Sequence, residues 1–306
     1  FRHADHPTPP ERGRRLFDAL LGEDGGDGSV HVGTIRRVLA AAGLRPDDPR
    51  LHGIADALAG RSDEERLDRA AFADATRSGR LLLEGAVFEG LAVPEFAALR
   101  RDLSAMFREA ERNAGGAVAD YIPRLARVDP DQFGLAACTV DGQRHAEGDA
   151  RTRFCVQSVS KPINYLIALE EHGEAGVHAH MGCEPSGVSF NEIALDRNGL
   201  PHNPMINAGG IMSCALVQRG RPSADRFDHV AGVWAELTGG TRPGFSNATY
   251  LSERETGDRN YALGYSLREQ QAFPDDTDLR DTLEFYFQCC SLELTCDELA
   301  VVAATL

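Results

Sequence analysis

The sequence predicts an α/β protein in two parts: an all-α module over residues 1–110, then a domain over 111–306 that mixes antiparallel strands with helices. Three observations predict it. Apolar residues recur at helical spacing in the alanine-rich first third, as in Phe96, Leu99, Leu103, Met106, Phe107 and Ala110. The stretch "FGLAACTVDGQRHAEG" (133–148) reads as a hairpin around a two-residue Asp141-Gly142 turn. "SVSKPINYLIALEEHG" (158–173) reads as a helix that opens at a serine and stops at Gly173.

Taken in order, "LFDALLGEDGGDGSVHVGTIRRVLAAAGL" (16–44) has the succession helix, acidic glycine loop, short strand, helix, which is the shape of an EF-hand. Setting Gly28 at the loop glycine places Glu23, Gly25 and Asp27 at loop positions 1, 3 and 5. Thr34 then falls where a bidentate glutamate is needed, and two ligand positions are lost. "SDEERLDRAAFADA" (62–75) has no coordinating loop. The pair is expected to be a structural helical module, with no metal. Pro94 is expected in the first turn of the helix that carries Phe96. "ERNAGGAVAD" (111–120) reads as a linker. Further helices are expected at about 204–219, 224–239, 258–270, 278–289 and 294–306. The closing "AVVAATL" has the look of a helix interior, so the fold is expected to continue past Leu306.

Composition narrows the function. The chain is 42% hydrophobic and 26% charged, with a net charge of −15. A phosphate backbone or an anionic membrane would repel it, so no nucleic-acid or membrane partner is expected. No apolar run approaches a membrane span, and no signal peptide opens the chain. Secretion is therefore not expected. Phe1 in place of a methionine suggests a trimmed start. The seven cysteines have no C-x-x-C spacing, which predicts buried free thiols in a reducing compartment rather than a disulfide or zinc framework.

The chemistry concentrates in "FCVQSVSKPINY" (154–165). Lys161 is the one lysine among 32 basic residues. An arginine stays protonated, whereas a buried lysine can be neutral and accept a proton. Lys161 stands three residues after Ser158, and Pro162 confines the helix start to this neighbourhood. Ser158 is thereby placed at a helix N-terminus with Lys161 one turn on, on the same face. Positive potential and free N–H groups there favour a neutral amine and an oxyanion. That is the equipment of a serine nucleophile with a lysine base. The competing reading of Ser158 is a helix N-cap. Ser160 lies inside the same motif but lacks the three-residue relation to Lys161.

A hairpin followed by Ser-x-x-Lys at a helix start resembles the serine β-lactamases and penicillin-binding proteins. The longer motifs "YIPRLA" (121–126), "CTVDGQRHAEGD" (138–149), "FCVQSVSKP" (154–162), "HNPMINAGGI" (202–211), "GFSNATYLSERETGDRNYALGY" (244–265) and "FYFQCCSLELTC" (285–296) together resemble a serine-dependent, β-lactamase-like glutaminase. The resemblance covers roughly residues 15–306. With its EF-hand-like module the chain is most similar to the phosphate-activated type of animal mitochondria. The resemblance implies a β-lactamase/penicillin-binding-protein-like domain behind the helical module. It also implies hydrolysis of L-glutamine to L-glutamate and ammonia, with neither cofactor nor metal.

Under that resemblance Ser158 is the nucleophile, Lys161 its base and Tyr286 a proton relay. Tyr121, Gln157, Asn207, Glu253 and Asn260, with Ser158 and Tyr286, hold the substrate. A zwitterion needs a carboxylate for its ammonium, which Glu253 supplies, and neutral donors for its carboxylate, which the amides and Tyr121 supply. Each has a plainer reading: Tyr286 as a core aromatic, Glu253 as a partner of Arg254 or Arg259, Asn207 and Asn260 as helix caps. The resemblance further implies a homo-oligomer, dimer or tetramer, with phosphate as activator and residues 181–204 as a loop near the tetramer interface. It implies a bacterial cytoplasm or a mitochondrial matrix. The family continues beyond the residue matching Leu306, with a second catalytic tyrosine and a Ser-Gly-Val segment. The rival functions are a penicillin-recognising serine acylase or esterase of the same fold, and a non-catalytic oligomerising partner.

Overall fold

The computed structural model of the chain describes residues 9–24 and 28–306. Its internal contacts gather it into two compact units. One takes residues up to 114 with 133–150 and 300–306; the other takes 115–132 and 151–299.

In the first unit α1 (Pro9–Asp24) leads to β1 (Val30–His31) and α2 (Val32–Ala41), and α3 (His52–Leu58) leads to β2 (Arg66–Leu67) and α4 (Arg69–Ala75). The strands pair antiparallel, Val30 opposite Leu67 and His31 opposite Arg66. β1 is the short strand expected after the acidic glycine loop; its partner β2 was not expected, and the module is otherwise helical. Two-residue strands are too short to show an alternation. Leu16, Phe17 and Leu20 of α1 close the core with Val30, Ile35 and Phe72. Asp24 accepts from His31 N at 2.7 Å and from the Thr34 hydroxyl. Burial pushes the Asp24 carboxyl up, but these bonds outweigh it and hold the group below its ordinary value. Gly25, Asp27 and Phe1 lie outside the described residues.

Next come α5 (Arg80–Val87) and α6 (Phe96–Ala110). Phe96 and Phe107 of α6 are buried, but Met106 is 61% exposed. At 100° per residue Met106 lies about 80° from Phe96 and about 100° from Phe107, the two buried residues, at the edge of the stripe beyond Leu99. Ala110 is also exposed, because it ends the helix. Pro94 precedes the N-cap Glu95 instead of lying in the first turn. The hairpin forms from β3 (Gly134–Cys138) and β4 (Arg144–Gly148), with Cys138 opposite Arg144. Its loop is longer than the two-residue turn expected. Thr139 N donates to Gln143 O at 3.0 Å around Val140–Gly142, with Gly142 at φ 91. A left-handed glycine closing a three-residue loop explains the difference. Gln143 is 1% exposed, and its Nε2 donates to Ala42 O and Val93 O, each at 3.0 Å.

The second unit runs through β5 (Phe154–Cys155), α7 (Ser160–His178), α8 (Asn207–Leu216), α9 (Ser223–Leu237), β6 (Gly244–Phe245), α10 (Asn247–Thr256), α11 (Asp258–Glu269), α12 (Leu279–Cys290) and β7 (Leu292–Leu294); α13 (Cys296–Thr305) begins in it. β7 is the central strand, paired antiparallel with β5 and β6. Gly173, at φ 69, interrupts α7 where the sequence predicts its end, and a further short helical stretch follows. All ten residues of "NAGGIMSCAL" in α8 are buried, and α8 packs against α7, α11 and α12. Small residues let those helices approach closely. The sequence missed α10 and β7: α10 is rich in Asn, Thr and Ser, and β7 is three residues long. Among the described residues no helix is long and apolar enough to cross a membrane. The seven cysteines are free, but only Cys214, Cys289 and Cys290 are buried. The expectation of uniformly buried thiols fails most clearly at Cys183, which is exposed.

Candidate active site

Ser158 lies in a single 3-10 turn, Gln157–Val159, between β5 and α7. The chain rises from the sheet at Val156, whose N–H donates to Leu292 O on β7 at 2.8 Å. It enters α7 at Ser160, with Val159 as N-cap. Ser158 is therefore not the cap. Its side chain is exposed, and Lys161 Nζ donates to its Oγ at 2.7 Å. Lys161 is 2% exposed, and burial drives its amine below the ordinary lysine value, although Cys290 and Glu253 pull the other way. Ser160, the second hydroxyl of the motif, is fully buried and donates to Gln157 O at 2.7 Å.

Around Ser158 opens a cavity of about 200 Å³. Tyr121, Gln157, Asn207, Glu253, Asn260 and Tyr286 all line it, so the residues singled out from the sequence come together with Lys161 beneath Ser158. Tyr121 OH donates to Gln157 Oε1 at 3.4 Å. Gln157 Nε2 donates to Cys290 O at 3.3 Å and to Glu253 Oε2 at 3.5 Å. Asn207 Nδ2 donates to Asn260 Oδ1 at 3.0 Å. Neither asparagine is a cap, since Ile206 and Gly257 hold those positions. Arg254 stacks over Tyr250, with 5.6 Å to the ring centroid, while the Glu253 carboxylate faces Gln157. Burial raises Glu253 to about 7, against the bond from Gln157 and the charge of Lys161. Burial also lifts the Tyr286 phenol well above its ordinary value. Its ring centroid lies 6.0 Å from Lys161 Nζ.

Sequence reasoning missed several walls of this cavity: Phe190 and Asn191 from the segment before α8, Arg259, and Cys290. Cys290 had a legible signal, standing four residues after Tyr286 on one helical face. Chemically the site offers an exposed hydroxyl on a buried amine, a buried carboxyl and a pair of amides.

A profile for glutaminase matches residues 116–306 of the chain. The chain belongs to the glutaminase family. An EF-hand domain profile matches residues 14–94. The chain is similar to the mitochondrial liver isoform of glutaminase from Mus musculus, 38% identical over 314 residues that cover 100% of this chain and 52% of the relative. It is 41% identical over 208 residues to glutaminase 2 of Bradyrhizobium diazoefficiens, covering 68% of this chain and 33% of that one. Among solved structures it resembles Mglu in its native form, with a TM-score of 0.62 at 35% identity, over 67% of this chain and 49% of the other. The chain thus spans about half the length of the mouse relative and of a glutaminase relative from Caenorhabditis elegans. Its fold is a glutaminase domain, with helices around small antiparallel sheets, behind an EF-hand domain.

Proposed function

We propose that the protein hydrolyses L-glutamine to L-glutamate and ammonia through a γ-glutamyl ester on Ser158. The observation that carries this reading is the 2.7 Å contact between a buried, pKa-depressed Lys161 and an exposed Ser158. Family membership and the names of the relatives support the substrate. Ser158 Oγ attacks the side-chain amide carbon while its proton passes to Lys161 Nζ. Ammonia leaves, taking a proton returned from Lys161 with the Tyr286 hydroxyl as relay. Water then attacks the ester, Lys161 receives its proton, and Ser158 is regenerated. N–H groups at the start of α7 offset the oxyanion charge.

Glu253 binds the substrate ammonium, and Asn207, Asn260 and Tyr121 bind the carboxylate beside Gln157. A cavity of about 200 Å³ suits an amino-acid amide better than a bicyclic β-lactam, since pockets for drug-sized ligands measure about 300–1,000 Å³. We take the domain division as 1–110 and 111–306, and infer a homo-oligomer, with phosphate as a candidate activator. A mitochondrial address appears in the name of the mouse relative; a mitochondrial matrix or a bacterial cytoplasm is the inferred compartment. The test is ammonia release from L-glutamine by the protein and by its Ser158→Ala variant. Release that requires Ser158 is expected. Release unchanged in the variant contradicts the mechanism, and covalent capture of a β-lactam at Ser158 favours the acylase reading.

A further inference from the structure

Among the described residues five that are not glycine have a positive φ: Glu89, Gln157, Gln218, Gln271 and Asp276. Glu89, Gln218 and Gln271 each follow the C-cap of a helix, after Phe88, Val217 and Gln270. A left-handed residue there is an ordinary way to end a helix. Asp276 lies in the loop before α12. Gln157, at φ 47, fits neither case. It stands on the way from a strand into a helix, where nothing is ending.

A non-glycine residue holds this conformation only when its surroundings over-determine it. At Gln157 they do. On one side Val156 is fixed to β7 through Leu292 O at 2.8 Å. On the other, Ser160 Oγ donates to Gln157 O at 2.7 Å. The side chain is anchored to Cys290 O and beneath Tyr121 OH.

The consequence falls on Ser158. Val156 points inward and is 2% exposed. The backbone has already left the strand at Val156, which is right-handed (φ −65, ψ −24), and Val159 and Ser160 are right-handed too. Gln157 is therefore a left-handed step between right-handed residues, and it sets the direction in which the chain enters α7 and where the exposed Ser158 stands, with its Oγ above Lys161 Nζ. We propose that the left-handed backbone of Gln157 is what turns Ser158 out to Lys161. Gln157 is thus a positioning residue through its main chain, apart from any contact of its side chain with substrate. This rests on the reading of Ser158 as nucleophile.

The test replaces Gln157 by Gly, Asn, Ala and Val, and measures labelling of Ser158 by an alkyl fluorophosphonate. In that reaction Ser158 Oγ bonds to phosphorus, fluoride leaves, and the serine proton passes to Lys161. The reagent has no amino-acid end, so loss of a substrate contact does not slow it. Gln157→Gly and Gln157→Asn are expected to label within about threefold of wild type, since both residues tolerate a positive φ. Gln157→Ala should be at least about fivefold slower than Gln157→Gly, and Gln157→Val slower again. The thermal midpoints should fall in the order Gly, Ala, Val, the reverse of the usual effect of Gly→Ala. If Gln157→Val does not fold, the Gly and Ala pair decides. An alanine variant that labels as fast as the glycine variant overturns the proposal, as does a wild type not labelled at Ser158. The expected ranking in a protein that releases no ammonia from glutamine upholds it, and sinks the hydrolase reading instead.

Discussion

Glu253 and Lys161 are both buried ionisable groups pushed toward neutrality, and both pushes have consequences that can be read with pH. Glu253 titrates at about 7 in the folded protein against 4.5 as its ordinary value. Between those values the folded state binds the extra proton, so this residue makes stability fall as pH rises from 4.5 to 7. The loss is complete above 7 and amounts to about 3 kcal/mol. Glu253→Gln should remove it. Urea unfolding at pH 4.5 and pH 8 should show the variant gaining on wild type by about that amount. A bound amino acid is expected to oppose the effect: an ammonium beside Glu253 favours the carboxylate, so the product L-glutamate should bind more tightly as pH rises toward 7, with proton release. Titration calorimetry in buffers of different ionisation enthalpy would expose a binding that releases none. Lys161 acts in the other sense, since only its neutral form is a base. Its depressed value predicts an acidic limb of activity below that of an ordinary lysine.

At the scale of elements, α7 is defined by how it begins, which bears on the site, and by where it bends. The Ser160 hydroxyl ties the first turn of α7 to the Gln157 carbonyl. Ser160→Ala should cost about 1 kcal/mol and slow reaction at Ser158, measured by unfolding and by labelling in parallel. Gly173 has φ 69, and a methyl group added there would meet nothing within 4 Å. With ψ 168 as well, the residue sits in a region essentially reserved to glycine, so Gly173→Ala is a test of backbone alone, with an expected cost of about 1–3 kcal/mol. An increase in stability would show that the left-handed bend is not obligatory.

This is also the scale at which the sequence stopped being legible. Ser158 and Lys161 were readable because one lysine and one proline fixed a helix start within a few residues. Apart from α10, the helices of the second unit appeared within a few residues of their predicted ends, because their apolar periods are long. β7 was not readable: three residues become the central strand only because β5 and β6 arrive from elsewhere in the chain. Glu253 sits on α10, whose composition argues weakly for a helix, so only resemblance pointed to it. Nothing local marks Gln157 as left-handed, since that conformation is imposed by β7, Cys290 and Ser160 together.

For the molecule as a whole, two compact units have separate reasons to hold. The first joins the hairpin to its helices through Gln143, whose side chain also receives Val93 N at 2.9 Å. Gln143→Ala leaves buried backbone groups without partners and should destabilise that unit by about 2–3 kcal/mol, measured by hydrogen exchange of the hairpin amides. Unchanged protection would mean that the hairpin is held by its own ladder. The second unit carries the cavity, Lys161 beneath Ser158, and every residue proposed to touch glutamine. The most direct measurement of the central claim is covalent capture by a diazo-ketone analogue of L-glutamine, read by peptide mass in wild type and in Lys161→Arg. Modification of the peptide at Ser158, lost or slowed about a hundredfold or more in the variant, is the predicted result. Modification at another residue, or undiminished capture when an arginine replaces the lysine, would contradict the account.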